Sequence, residues 1–63
     1  MQDDAARVRA FAIDVFQDES IADDWLNTFN KALAARPKEI LKTKGGAERV
    51  ERLLTRIKHG VYS

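Results

Sequence analysis

Three places in this chain hold side chains able to do chemistry. They are the lone histidine His59 beside Lys58, the adjacent carboxylates Asp23 and Asp24, and a row of arginines, Arg49, Arg52 and Arg56. Each has a plain alternative. An imidazole at a helix end often just faces the negative end of the helix dipole, and no nucleophile or carboxylate stands at an obvious spacing from His59. Adjacent helical residues point about 100° apart, so Asp23 and Asp24 cannot share a substrate as a general acid and base do. A solvated face explains them better. The arginines, at spacings of three and four, line up on one helical face, where such a row can grip phosphates. Glu48 and Glu51 interleave with them, however, and no helix-turn-helix pair with a polar recognition helix is evident. The outer face of an amphipathic helix needs charge in any case. Gly45-Gly46 lacks the following lysine and Ser/Thr of a phosphate cradle, and no GxGxxG, HExxH or EF-hand spacing occurs. The residues argue against an enzyme.

The elements that must position these residues are helical, because Ala, Leu, Arg, Lys and Glu dominate and no alternating apolar run exists. A first helix is expected from Asp3 or Asp4 to Phe16. It carries Val8, Phe11, Ala12 and Val15 on one face, with Ala5, Ile13 and Phe16 widening the stripe. Asp18 is the expected N-cap of a second helix from Glu19 to Phe29, which would align Ile21, Trp25 and Phe29 at spacing four, with Ala22 and Leu26 beside them. Trp25 and Phe29 then read as core. Asn30 to Arg36 reads as a connection that drops Ala32 and Leu33 into the core. Pro37 suits a first helical position, giving a short third helix to Lys42 with Ile40 and Leu41 buried. Thr43 is the expected N-cap of a last helix reaching Lys58 or His59, with Ala47, Val50, Leu53, Leu54 and Ile57 inward. Gly60 stands where a left-handed glycine would stop that helix.

Beyond it lies Val61-Tyr62-Ser63. An apolar residue and a tyrosine there either fold back as a cap on a small core or present a peptide end to another protein's cleft. Physics alone leaves the two even.

At 63 residues the chain makes one small domain whose core holds about a dozen large side chains. Its 44% hydrophobic and 33% charged content is that of a globular protein. Eleven Lys+Arg against ten Asp+Glu leave a net charge of +1, which excludes a wholesale polyanion binder. The charge is unevenly placed. Up to Asp24, seven acids face only Arg7 and Arg9; after it, nine bases face Glu39, Glu48 and Glu51. One histidine and no cysteine leave neither a disulfide staple nor a metal site, and no cofactor is expected. The polar N-terminus is unlike a signal peptide, and no apolar run approaches the roughly 18 residues of a membrane span. A cytoplasmic, all-α, small four-helix domain with a single core is the expectation.

The strings AIDVFQDESIADDWLNT, NKAL and RPKEILKTKGGAERVERLLTRIKHGVYS closely resemble the toxin-binding domain of bacterial Xre/ParS-type antitoxins. That domain opens with Val-Phe, Ala and Trp-Leu, here Val15, Phe16, Ala22, Trp25 and Leu26. An Asn-x-Ala-Leu follows, here Asn30, Ala32 and Leu33. Its ending is matched by Pro37, Glu39, Leu41, Thr43, Gly46, Val50, Leu54, Arg56, Ile57 and the closing Gly60-Val61-Tyr62-Ser63. The resemblance covers Phe11 to Ser63, with residues 1–10 outside it, and its specificity lies in the ordered set.

The resemblance implies four helices and no enzymatic activity. It implies a cognate partner, a RES-domain toxin of a type II toxin-antitoxin system, which attacks NAD and is similar in fold to ADP-ribosyltransferases. The antitoxin's C-terminal end then approaches or blocks the toxin's NAD cleft, which places toxin binding on Arg56, His59, Gly60, Val61, Tyr62 and Ser63. A short tail fixed by a helix stop loses little entropy on insertion. The usual Gly after Val-Phe is Gln17 here, and the usual Pro before Asn is Phe29; both concern turn geometry. Many family members also carry an N-terminal helix-turn-helix domain for operator DNA, which these 63 residues lack, so the chain is either an excised domain or a naturally short member. DNA binding would belong to that missing domain. Two other readings stay open: a DNA-binding helical domain using the arginine row, and a homodimerisation module using Ile13 and Phe16. No membrane role is implied.

Overall fold

The computed structural model describes residues 4–60. Over that span the chain forms four helices: α1 (Asp4–Phe16), α2 (Glu19–Asn27), α3 (Pro37–Ile40) and α4 (Gly46–Gly60). The all-α expectation holds. α1 packs on both α4 and α2, and the short α3 bridges α2 and α4. One core collects Val8 and Ala12 from α1, Ala22 and Leu26 from α2, Leu33 from the connection, Ile40 from α3, and Ala47, Val50 and Leu54 from α4. Alanines at three of these helical positions let the backbones approach closely, so Val8, Val50 and Leu54 are fully buried despite the small size of the domain.

The α1–α2 corner follows the sequence. Gln17 takes a left-handed conformation (φ 58°) and its N–H donates to the Ile13 carbonyl at 2.7 Å, which closes α1. Asp18 is the N-cap of α2, its carboxylate accepting from the Ile21 N–H at 2.9 Å.

The far end of α2 departs from expectation. The helix ends at Asn27, where the Asn27 amide donates to the Asp23 carbonyl and the Thr28 hydroxyl to the Asp24 carbonyl, each at 2.7 Å. Those side chains satisfy the last-turn acceptors, and Thr28 turns extended (φ −102°, ψ 140°). Phe29 therefore leaves the helix and is 63% exposed, and Ile21 is 52% exposed. The buried face of α2 is Ala22 and Leu26, not Ile21, Trp25 and Phe29. Trp25 is half-buried, its ring 5.8 Å from that of Phe16 in a tilted pair.

The connection is a compact turn. Asn30 and Ala35 exchange backbone hydrogen bonds at 2.9 and 3.3 Å, and the Asn30 side-chain oxygen accepts from the Ala32 and Leu33 N–H groups. Ala34 sits at φ 58°. Leu33 drops into the core as expected, whereas Ala32 stays outside.

α3 begins at Pro37, which is buried, and ends at Ile40 rather than Lys42. Thr43 belongs to that ending: its hydroxyl donates to the Ile40 carbonyl at 2.7 Å instead of capping α4. Gly45 (φ 73°) reverses the chain, and α4 starts at Gly46. A Cβ on Gly46 would fall on the Ile40 carbonyl oxygen and lie 2.7 Å from the Thr43 hydroxyl, so only glycine lets α3 and α4 meet there. Gly60 is itself helical, within α4, and not a left-handed stop beyond it.

Candidate functional site

On α4 the outer face carries Arg49, Arg52 and Arg56, all exposed, beside the half-buried Leu53 and Ile57. The Asn30–Ala35 turn brings Ala32 and Leu33 against this face. Together Ala32, Leu33, Arg49, Arg52, Leu53 and Arg56 line a groove of about 140 Å³. Past Arg56 and Leu53 a second open hollow, about 630 Å³, is lined by Ala32, Thr55, Ile57, His59 and Gly60 as well. The two share Ala32, Leu53 and Arg56, so they form one trough running toward the C-terminal end of α4.

The electrostatics of this trough follow from where the acids go. Arg9 grips Asp23 through two nitrogens, at 2.7 and 3.0 Å, and lies 3.6 Å from Glu19. Arg7 reaches Glu51 at 3.0 Å and Asp4 at 3.5 Å, while Lys58 reaches Asp14 at 2.9 Å. These pairs tie α1 to α2 and α4. Arg49, Arg52 and Arg56 have no ion-pair partner among the described residues. Among the described residues, three guanidinium groups thus stand without an ion-pair partner beside an apolar floor.

Asp23 and Asp24 are not a working pair. The two-pronged hydrogen bond from Arg9 outweighs the desolvation that acts against it and, with the Arg9 charge, holds the Asp23 carboxyl below its ordinary value. The same bond and the Asp23 charge raise the Arg9 guanidinium further. Asp24 lies on the exposed side and offers its backbone carbonyl to Thr28.

Of the residues on which the family resemblance places toxin binding, Arg56, His59 and Gly60 line one hollow. Val61, Tyr62 and Ser63 lie outside the described residues. The helical spacing turns Leu53 and Ile57 inward, but both are half-buried and form part of the trough wall. The signal was present: both flank the central Val50–Leu54 line of α4 and adjoin the arginine row. Ala32 carried no such signal, since only the Asn30 side chain's turn brings it there. Ile13 and Phe16 pack partly against the core.

No curated protein and no solved structure matches the chain. Its sequence does match, over residues 11–60, the family model of the antitoxin Xre/MbcA/ParS C-terminal toxin-binding domain. That span runs from the middle of α1 to the last residue of α4 and stops short of Val61-Tyr62-Ser63. It includes every element of the trough, and the chain belongs to this family of antitoxin toxin-binding domains.

Proposed function

We propose that this chain neutralises a RES-domain toxin that consumes NAD, acting in the bacterial cytoplasm as a non-enzymatic binding module. The C-terminal end of α4 and the residues beyond it approach or block the toxin's NAD cleft. The observation that carries this reading is the convergence of Arg56, His59 and Gly60 on one hollow at the end of α4, in a chain of the antitoxin toxin-binding family. A rigid helix delivers its last residues without a large ordering cost, and that favours inhibition by insertion. Basic residues beside the inserted end compete with NAD for contacts inside the cleft.

Co-expression of the chain with the RES-domain toxin encoded beside it tests the reading, scored by growth and by co-purification. Rescued growth with a stable complex is expected. Continued toxicity alongside a folded chain would overturn it. Deleting Val61 to Ser63 should leave the fold nearly intact and relieve inhibition. Full neutralisation by the truncated chain would move the inhibitory contact to the α4 face.

The arginine row, without an ion-pair partner among the described residues, favours a second reading, a DNA-binding module. Tight binding to random duplex that weakens steeply with added salt would support it.

A further inference from the structure

We propose that the groove between α4 and the Asn30–Ala35 turn is a dock for an acidic, apolar-anchored segment of the toxin, adjoining the contact made by the C-terminal end and sharing Arg56 with it. The inference rests on the antitoxin reading and deepens it by naming the chemistry of the partner surface.

Two features of the groove select the occupant. Its rim is Arg49, Arg52 and Arg56, which span about 10 Å along the helix. Among the described residues none has an acid to pair with; Lys31, Arg36, Lys38 and Lys44 share that state while Arg7, Arg9, Lys42 and Lys58 each reach an acid, and what sets the three arginines apart is that they line one groove. Guanidinium forks match carboxylates two bonds at a time, so three in a row fit two or three carboxylates spaced along a helix or strand. The floor is Ala32, Leu33 and Leu53, and the 140 Å³ space suits one medium-sized apolar side chain.

A nucleic-acid backbone fits less well. It would meet the exposed Glu48 beside Arg49 and leave the apolar floor unused. Phosphate tracking also calls for a longer basic run than three residues on a chain of net charge +1. An Asp/Glu-rich protein segment with a Leu, Met or Phe between its acids uses both rim and floor.

The test compares three 63-residue chains for binding to the RES-domain toxin at low and high salt: the unaltered chain, R49E/R52E, and K38E/K44E. The two double variants carry the same net charge, and Lys38 and Lys44 are exposed and do not line the groove. Thermal melts establish that each is folded. The expected result is a loss of about 100-fold in affinity for R49E/R52E with a flattened salt dependence, and a change under about threefold for K38E/K44E. Equal losses in both variants would reduce the effect to net charge and overturn the dock.

Unchanged binding by R49E/R52E would also overturn the dock while leaving the antitoxin reading standing. No binding by the unaltered chain would overturn both. If R49E/R52E keeps the toxin but loses random duplex DNA, the groove is a phosphate site and the proposal fails.

Discussion

Gly45 and Gly46 are neighbours, yet the chain needs each for a different physical reason. Gly45 has open space around its α-carbon but a φ of 73°, so a side chain there is strained in the backbone alone. Gly46 has no such dihedral; its α-hydrogen faces the Ile40 carbonyl where α3 and α4 touch. Gly45→Ala should cost about 1 kcal/mol. Gly46→Ala should cost about 2 kcal/mol or more, because the clash is with backbone and cannot be relieved by a rotamer change. Thermal melts order the two: in a domain of this size each kcal/mol moves Tm by about 4–8 °C. An equal shift for both would mean that α3 and α4 can part at little cost. Gln17 is the converse case, a non-glycine residue held at φ 58°. Gln17→Gly should change stability by less than about 1 kcal/mol, in the favourable direction, since relief of the left-handed strain is partly offset by the freer unfolded chain. A destabilisation larger than that would show that the Gln17 amide's bond to the Asp14 carbonyl, at 2.6 Å, matters more than the dihedral.

At the scale of elements, α2 shows best what the sequence could and could not tell. Its start was legible because Asp18 bonds a group three residues away, within the reach of a local rule. Its end was not. A spacing of four through Ile21, Trp25 and Phe29 predicts one apolar face, but the Asn27 and Thr28 side chains take the terminal carbonyls and release Phe29. Periodicity counts apolar residues and is blind to that competition. The shortened α3 has the same origin, in the Thr43 hydroxyl. The trough was half legible: the arginine row is a local pattern on one helix, while Ala32 joins it only through a turn in another part of the chain. Phe29→Ser and Ile21→Ala should therefore each move stability by about 0.5 kcal/mol or less in urea titrations; a loss of several kcal/mol would return them to the core. The Arg9–Asp23 pair makes a further element-level prediction. Asp23 titrates lower in the folded state than in the unfolded chain, so its stabilising share is present above the unfolded value, about 3.9, and is lost as pH falls through the lower folded one. The stability advantage of the unaltered chain over Asp23→Asn should shrink as pH drops from 6 to 3. Parallel curves would mean that the pair does not hold α1 on α2. Arg9, shifted upward, keeps its share at every pH where the protein is handled.

For the whole molecule, binding and stability are joined because the trough is built on the core. Leu54 is fully buried at the centre of α4, one residue from the trough-lining Leu53. Replacing it with alanine should cost about 3 kcal/mol. A domain of 63 residues has a total stability on the order of 3–9 kcal/mol, so a large share of Leu54→Ala molecules would be unfolded at 37 °C if the total lies near the lower limit. A partner that binds only the folded form then has to supply the folding energy from its own binding energy, and apparent affinity falls by the folded fraction. Neutralisation by Leu54→Ala should thus weaken although the side chain is wholly inside the molecule, and it should recover at lower temperature or higher toxin concentration. Arg56→Glu should behave oppositely, with an unchanged melt and weakened binding at every temperature, since Arg56 is exposed and unpaired among the described residues. Measuring both variants by thermal melt and by toxin binding at 15 and 37 °C separates loss of the surface from loss of the fold that presents it. If Leu54→Ala kept its stability, α4 would not be anchored as its burial implies. The row of arginines would then sit on a helix free to shift, rather than on one held in register by Val50, Leu54 and the glycine contact at its start.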